Sequence, residues 1–484
     1  MLNAKYEMKK RTKIVCTIGP ASDKPEIIKQ MILAGMNITR LNFSHGTPAE
    51  HLARLQTIRQ VAQELDEPIV IIADLCGPKL RIGKIANSSV ELKSGSLFIL
   101  TTEAIAGNQD RVSISYPTLP EYTRIKDHIL LDDGNIELEV TRVTKTEIQC
   151  RVIQGGILSS QKGVSVIGEK VAIPAITEKD ITDLTFAIQN KVDYLALSFV
   201  QSAEDIKKLK DLIRERNADT PVIAKIEKPL AVKNIDEIIA VSDAVMVARG
   251  DLGIEMPIQE VPIIQKMLIQ KCNLVGKPVI TATQMLESMI HNPRPTRAEV
   301  TDIANAILDG TDAIMLSGET AVGEFPVKCV QMMADIATRT EQSLTTVMPD
   351  IVECQEIKPS TFAERQIAES VSYSVNSLAK QLNAAAIVTP TESGSTARYI
   401  ARFRPKCPII AITPNKKTLY RLGLVWGVSA YYCENLPDTD AVFKKAAELV
   451  QSLGIAKSGE TIIITAGIPL RQPGTTNLIR VLAL

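Results

Sequence analysis

The chain has 484 residues, too many for one ordinary hydrophobic core, so roughly two to four domains are expected. Lysine plus arginine and aspartate plus glutamate both number 55, a formal net charge of zero that argues against nucleic-acid binding through bulk charge. A small phosphate ligand stays possible, because local clusters can hold it, and the absence of any run of about 18 apolar residues argues against a membrane span. Eight cysteines, at 16, 76, 150, 272, 329, 354, 407 and 433, are scattered without a C-x-x-C pair, the pattern of reduced structural thiols in a cytoplasmic protein. The opening MLNAKYEMKKRTK lacks the apolar stretch of a secretory signal.

From the N-terminus, three short apolar runs come first: KIVCTIGPAS (13–22), NITRLNFSHG (37–46) and IVIIADLCG (69–77). Five more follow after a gap: YLALSFVQS (194–202), VIAKIEK (222–228), AVMVARGDLG (244–253), VITATQML (279–286) and AIMLSGETA (313–321). Most are rich in Val, Ile and Leu, as strands buried on both faces should be. Helical patterns lie between them, and three begin with a capping-box spacing: Thr177 with Asp180, Ser202 with Asp205, and Thr296 with Glu299. Eight alternating units predict a closed (β/α)8 barrel, with a doubly wound open sheet as the structural alternative.

Six of the seven strand-to-strand steps run about 22 to 35 residues, but the third runs about 125. The surplus, residues 78–174, consists of short alternating runs such as SSVELKSGSLFIL and HILLDDGNIELEVTRVTKTEIQCRVIQGG, broken by Gly, Asn and Asp. It reads as a small β-barrel or sandwich domain, placed to act as a lid over the C-terminal face of the barrel. The barrel therefore takes residues 1–77 and 175–345. After a linker, residues 346–484 carry strand-like runs at 384–391, 408–414, 428–435 and 461–468 with helices between, an independent α/β domain.

Polar residues at the C-terminal ends of barrel strands are candidates for chemistry. The second run offers Arg40, Asn42, Ser44 and His45, of which the first three share one face at period two. A cation with two oxygen-bearing side chains suits an oxyanion or a metal ion; the same set could also cap a helix or a turn. The fifth run places Lys225 and Glu227 on one face, and the sixth ends with Asp251 in a glycine-flanked turn. Two carboxylates from adjacent strands can hold Mg²⁺ and leave places for substrate, while Lys225 neutralises phosphoryl charge. Salt bridges at the barrel rim are the structural alternative. Ser198, Thr281 and Thr283 add hydroxyls that buried backbone could equally satisfy. The set suits Mg²⁺-dependent phosphoryl transfer or carbanion chemistry on a small anion; no Walker loop or nucleophile elbow is present.

TKIVCTIGPAS, NITRLNFSHG, AKIEKP, VMVARGDLGIEMP and the long block from TATQMLESMI through PRPTRAEVTDIANAILDGTDAIMLSGETAVGEFPV together resemble the pyruvate kinase family, in the same domain order over essentially the full chain. The resemblance implies transfer of phosphoryl from phosphoenolpyruvate to ADP, giving pyruvate and ATP, with Mg²⁺ or Mn²⁺. It implies that Lys225 and Arg40 meet the transferred phosphoryl and that Glu227 and Asp251 hold the divalent metal. Ser198 and Thr283 would lie near the enolpyruvate, Thr283 being linked to protonation of the enolate. Amides around Gly250 and Asp251 would hold the substrate carboxylate, and His45, Arg81 and Lys179 would face the nucleotide phosphates. In the last domain, TESGSTAR (Thr391, Ser393, Gly394, Ser395, Thr396) and GIPLRQPGTTN (Arg471, Gly474) are similar to the family's pocket for a phosphorylated effector; ordinary loops are the alternative. A homotetramer is the family norm. A metal-dependent phosphoenolpyruvate or pyruvate lyase or mutase on the same barrel is the alternative function, which leaves the insert, Arg81 and Lys179 without a use.

One stretch departs from the family. Where many relatives read Asp-Thr-Lys-Gly-Pro-Glu beside a bound K⁺, residues 74–79 read Asp-Leu-Cys-Gly-Pro-Lys. Asn42, Ser44 and Asp74 of the monovalent site are kept, while Leu75 and Lys79 resemble a potassium-independent branch. An ammonium at Lys79 would bring the charge that K⁺ otherwise supplies and would repel K⁺ from the same place.

Overall fold

Eight short strands buried along their length alternate with helices: β1 (Lys13–Thr17), β2 (Ile38–Asn42), β3 (Val70–Leu75), β4 (Tyr194–Leu197), β5 (Val222–Ile226), β6 (Ala244–Ala248), β7 (Val279–Ala282) and β8 (Ala313–Leu316). All pair in parallel, in the order β1-β8-β7-β6-β5-β4-β3-β2 and back to β1, which closes the predicted (β/α)8 barrel. The computed structural model describes residues 10–78, 80–132, 134–167, 175–347, 363–434, 437–469 and 476–484, with the side chains of 167, 344–347 and 363–365 excepted. Lys79, Arg471, Gly474 and most of the predicted linker lie outside the described residues.

The alternation of strand side chains decides what the barrel contains. Val15, Ile38, Val70, Ile72, Tyr194, Ala196, Ile223, Ala244, Met246, Ile280, Ala313 and Met315 form one buried apolar cluster, the interior of the barrel. Their strand neighbours, among them Ile14, Leu41, Ile71, Leu195, Ala224 and Val245, pack outward against the helices. Two residues beyond the inward apolar set, the same register carries Arg40, Asp74, Ser198 and Lys225. The interior is thus apolar low in the barrel and charged at the C-terminal mouth.

All three predicted capping boxes form, ahead of the helices Glu178–Gln189, Ala203–Glu215 and Arg297–Leu308. A fourth, Thr47 with Glu50, starts Pro48–Leu65 and was not anticipated.

The insert is a six-stranded sheet in the order Val164–Ile167, His128–Leu131, Ile136–Val143, Glu147–Gln154, Leu97–Thr101, Arg111–Ser113, with its own core around Phe98, Leu100, Ile129 and Leu138. Residues 80–83 bond to both of its edges. Val164 N donates to Leu80 O (3.0 Å) and Ile82 N to Lys162 O (2.9 Å) on one side; Ser115 N donates to Arg81 O (2.8 Å) and Gly83 N to Ser113 O (2.7 Å) on the other. The expected small β-barrel is formed in this way. Its strand Val164–Ile167 lies against the short helix Arg249–Glu255 at the mouth of the large barrel.

The C-terminal unit has a five-stranded sheet ordered Val428–Tyr432, Ile409–Thr413, Ala386–Pro390, Thr461–Gly467, Thr476–Ala483. Four strands fall on the predicted runs. The fifth, antiparallel to its neighbour, was not predicted; as a half-exposed edge strand it carries little apolar signal.

The C-terminal unit also closes the floor of the large barrel. Leu424 is fully buried within the barrel-interior cluster, Tyr194 Oη donates to Arg421 O (2.9 Å), and Lys13 Nζ donates to Val428 O (2.8 Å). The Trp426 ring is flanked by the guanidiniums of Arg11 (5.3 Å) and Arg404 (4.7 Å), while the Trp426 backbone N–H and Arg404 both donate to Asp312 Oδ1. Leu424→Ala is expected to open a cavity at this floor and to lower stability by about 3 kcal/mol, measured as a shift in the denaturant midpoint.

Candidate active site

The charged mouth is organised around one carboxylate. Asp74, at the end of β3, is buried, and Arg40 Nε from the adjacent β2 donates to its Oδ2 at 2.6 Å. Lys225 Nζ from β5 stands 3.3 Å from Asp74 Oδ1 and 2.9 Å from Glu227 Oε1, and donates to Ser198 Oγ at 2.6 Å. Ser198 Oγ donates onward to Leu75 O (2.7 Å), and Arg40 Nη1 donates to Thr17 Oγ1 (3.0 Å). Residues from five strands or strand ends therefore meet in one network.

Burial acts on each of these groups, and the neighbours decide the outcome. Desolvation pushes Asp74 up, yet Lys225 and Arg40 outweigh it and hold the carboxyl below its ordinary value. Desolvation would lower Lys225, but Asp74 and Glu227 raise it well above the usual lysine range, so it stays an ammonium. Glu227 is raised, first by burial and then by the nearby Asp251. Its second oxygen accepts the Phe199 N–H at 2.7 Å, from a residue with φ of 56° just beyond β4.

Asp251 lies in the first turn of the helix Arg249–Glu255, which corrects the expectation of a glycine-flanked turn. The helix begins directly at the end of β6. The Gly250 N–H donates to Thr283 Oγ1 at 2.7 Å, so the amide expected to hold a carboxylate faces the predicted hydroxyl. Thr283 has φ of 71°, in the left-handed region. Arg249 holds it there, donating to Thr283 O (2.7 Å), Ala282 O (3.2 Å) and Asp302 Oδ1 (2.7 Å). Arg249 was missed in the sequence; its place before Gly250 is the only local signal. Thr281, by contrast, is buried and bonded to Thr311, a structural hydroxyl.

Around this centre the other candidates are placed as follows. Asn42 Oδ1 accepts the Ser44 N–H (3.1 Å) and shapes the loop that leads to His45. His45 is exposed, and its carbonyl lies 2.8 Å from His51 Nε2. Lys179 Nζ reaches Phe43 O (2.7 Å) and Asp183 (2.5 Å), and Arg81, on the insert, donates to Gln161 O (2.9 Å). In the C-terminal unit Thr391, Ser393, Gly394 and Ser395 come together: Gly394 N donates to Thr391 Oγ1 (3.0 Å), and the two serine hydroxyls lie 3.2 Å apart. Thr396 is turned away, buried with its Oγ1 2.7 Å from Thr476 Oγ1.

Residues 9–330 match the model of the pyruvate kinase barrel domain, and residues 369–482 that of the pyruvate kinase alpha/beta domain. The chain belongs to the pyruvate kinase family. It is 47% identical over 479 residues to the pyruvate kinase of Geobacillus stearothermophilus and 48% identical over 475 residues to that of Bacillus licheniformis; each match covers 98% of this chain and 80% of the relative. A crystal structure of a pyruvate kinase from Cryptosporidium parvum superposes with a TM-score of 0.92 at 36% identity, covering 98% of this chain and 96% of that one. As a member of the pyruvate kinase family the chain is an enzyme, a phosphotransferase.

Because Asp74 is depressed in the fold, its ionised form contributes stability at neutral pH. That contribution begins to fade near the ordinary aspartate value of about 3.9 and is gone below the lowered folded value. Asp74→Asn should therefore be less stable than the wild type at pH 7, with the difference shrinking as pH falls below about 4. Thermal midpoints of both proteins across pH 3 to 7 check this; a constant difference would remove Asp74 from the acid response.

Proposed function

We propose that the enzyme transfers phosphoryl from phosphoenolpyruvate to ADP, giving pyruvate and ATP, as the names of its relatives indicate. The observation that carries the reading is the pair Arg40 and Lys225, held by Asp74 at the centre of the barrel mouth. Phosphoryl transfer needs positioning and charge neutralisation more than covalent help. Arg40 offers its guanidinium fork to the phosphoryl oxygens, and Lys225 adds a point cation. Gly250 and Asp251 hold the carboxylate through backbone N–H groups. Thr283 and Ser198 flank the enolpyruvate, and Thr283, whose hydroxyl donates here to Ala282 O (2.6 Å), is the residue linked to protonation of the enolate carbon. His45, Arg81 and Lys179 face the nucleotide.

Glu227 and Asp251 are the residues that would hold Mg²⁺ or Mn²⁺. The donor set fits: burial together with the neighbouring Asp251 raises Glu227, a strain that a cation relieves. A divalent ion held by two carboxylates keeps places for substrate and water. When bound, the ion would neutralise phosphoryl charge and orient the oxygens.

On this reading the chain divides into barrel (1–77 and 175–345), lid (78–174) and effector-binding domain (346–484). The lid closes over the nucleotide and excludes water that would hydrolyse the phosphoryl group. A phosphorylated effector occupies the loop of Thr391, Ser393, Gly394 and Ser395 in a cytoplasmic homotetramer. Activity does not require K⁺. Leu75 and Lys79 stand where K⁺-dependent relatives carry Thr and Glu, and an ammonium at Lys79 would bring the charge that K⁺ otherwise supplies and repel K⁺ from the same place.

A coupled assay should yield pyruvate from phosphoenolpyruvate only with both ADP and Mg²⁺. Equal pyruvate without ADP would point instead to a lyase or mutase. Lys225→Met should lower kcat by about 10³-fold with the fold intact by circular dichroism. Replacing K⁺ by tetramethylammonium should leave activity nearly unchanged, and a strict K⁺ requirement would overturn that part of the reading.

A further inference from the structure

In the sequence Asp180 is the third residue of a capping box, a role that one carboxylate oxygen can fill. Glu50 fills it that way: its Oε2 alone accepts from the Thr47 N–H (2.6 Å) and hydroxyl (3.0 Å). Asp180 divides its two oxygens. Oδ2 accepts from Thr177 N (2.8 Å) and Thr177 Oγ1 (2.6 Å), while Oδ1 accepts from Gly77 N at 3.0 Å, a residue 103 positions away. The Asp180 side chain is fully buried.

Gly77 and Thr177 stand where the chain leaves the barrel for the insert and where it returns. One carboxylate thus gathers both connections. Gly77 has no room for another residue: its φ is +64°, and a Cβ there would stand 2.9 Å from Phe199 Cδ2 and 3.1 Å from Ser198 Cβ. The same Ser198 bonds Leu75 O and Lys225 Nζ. On the other side Lys179, next to Asp180, reaches Phe43 O in the loop before His45. The root of the insert is therefore wired to the phosphoryl-binding lysine and to the loop proposed to meet the nucleotide.

We infer that Asp180 is a positioning residue that pins the root of the inserted domain, so that the nucleotide-facing Arg81, four residues beyond Gly77, meets Lys225 in register. The inference rests on the lid reading above. The pin acts chiefly on the nucleotide side of the reaction, because Arg81 is carried by the insert itself, whereas Arg40 and Lys225 are also held from within the barrel by Asp74.

The test compares Asp180→Ala with Thr177→Ala, which removes the cap hydroxyl and keeps the bond to Gly77. Loss of a hydrogen bond to a buried charge should raise the KM for ADP by about tenfold in Asp180→Ala, with the KM for phosphoenolpyruvate changed by less than about twofold. Thr177→Ala should lower the thermal midpoint without changing the ratio of the two constants. Equal shifts of both constants in Asp180→Ala, or the same ratio change in both variants, would reduce Asp180 to a helix cap and overturn the inference. A second measurement needs no variant. In the wild type the Gly77 amide should resist hydrogen exchange as strongly as the amides of β3, and exchange at a free-loop rate would overturn the pin. Absence of pyruvate from the wild type would sink the kinase reading alone, and the exchange measurement would still decide the pin.

Discussion

Two cations cannot share the dry end of a barrel without an anion between them, and Asp74 is that anion. Arg40 and Lys225 both come from strands whose lower residues are buried apolar side chains, so neither can turn toward bulk water without leaving its register. Removing such charges from water is costly unless they are paired and hydrogen-bonded. Asp74 supplies both conditions at once, with one oxygen toward each cation. The carboxylate stays ionised because of them, and Lys225 stays protonated because of it. This mutual dependence fixes the geometry of the mouth before any ligand arrives, which is what pre-organised electrostatics requires.

The barrel resists this charge at one end by being sealed at the other. Leu424 reaches into the apolar interior from the C-terminal unit, and the Trp426 ring between two guanidiniums ties that unit to Asp312 beside β8. The segment that carries these residues packs at the lower ends of the barrel strands, through Leu424, Tyr194 and Lys13. The Ser/Thr loop lies close to the same segment: Thr418 Oγ1 donates to Glu392 O, and Gly394 packs on Leu422. A contact path between the two ends of the molecule is therefore present in the packing.

Much of this was legible in the sequence, for a physical reason. Strands buried on both faces must be apolar, so the eight barrel strands stood out as aliphatic runs, and charges at their ends could only be at the mouth. Three capping boxes were legible because their hydrogen bonds are local. What was not legible depends on contacts distant in sequence or on weak patterns. The edge strand Thr476–Ala483 is half-exposed and carries little periodic signal. The glycines around Asp251 suggest a turn, although the chain winds into a helix directly from β6. Thr396 belongs to a serine- and threonine-rich loop, and only the fold shows that it faces Thr476. The second oxygen of Asp180 and the clamp of Arg249 on Thr283 join residues that no local spacing connects.

The charge balance of the mouth also bears on why a divalent ion belongs to the proposed reaction. Arg40 and Lys225 bring two positive charges, and Asp74 and Glu227 cancel both at distances of 2.6 to 3.3 Å. A phosphoryl dianion entering this network meets cations that are well placed but already neutralised. Asp74 cannot be relieved of this duty, because without it the cations would not be held in the dry interior. Glu227 can, since its carboxylate is raised by burial and by the nearby Asp251, and a cation held by that pair would take Glu227 from Lys225. On this argument the two acids of the mouth are not equivalent. Asp74 holds both cations, while Glu227, paired here with Lys225, is the acid that would exchange that partner for a divalent ion on the proposed reading.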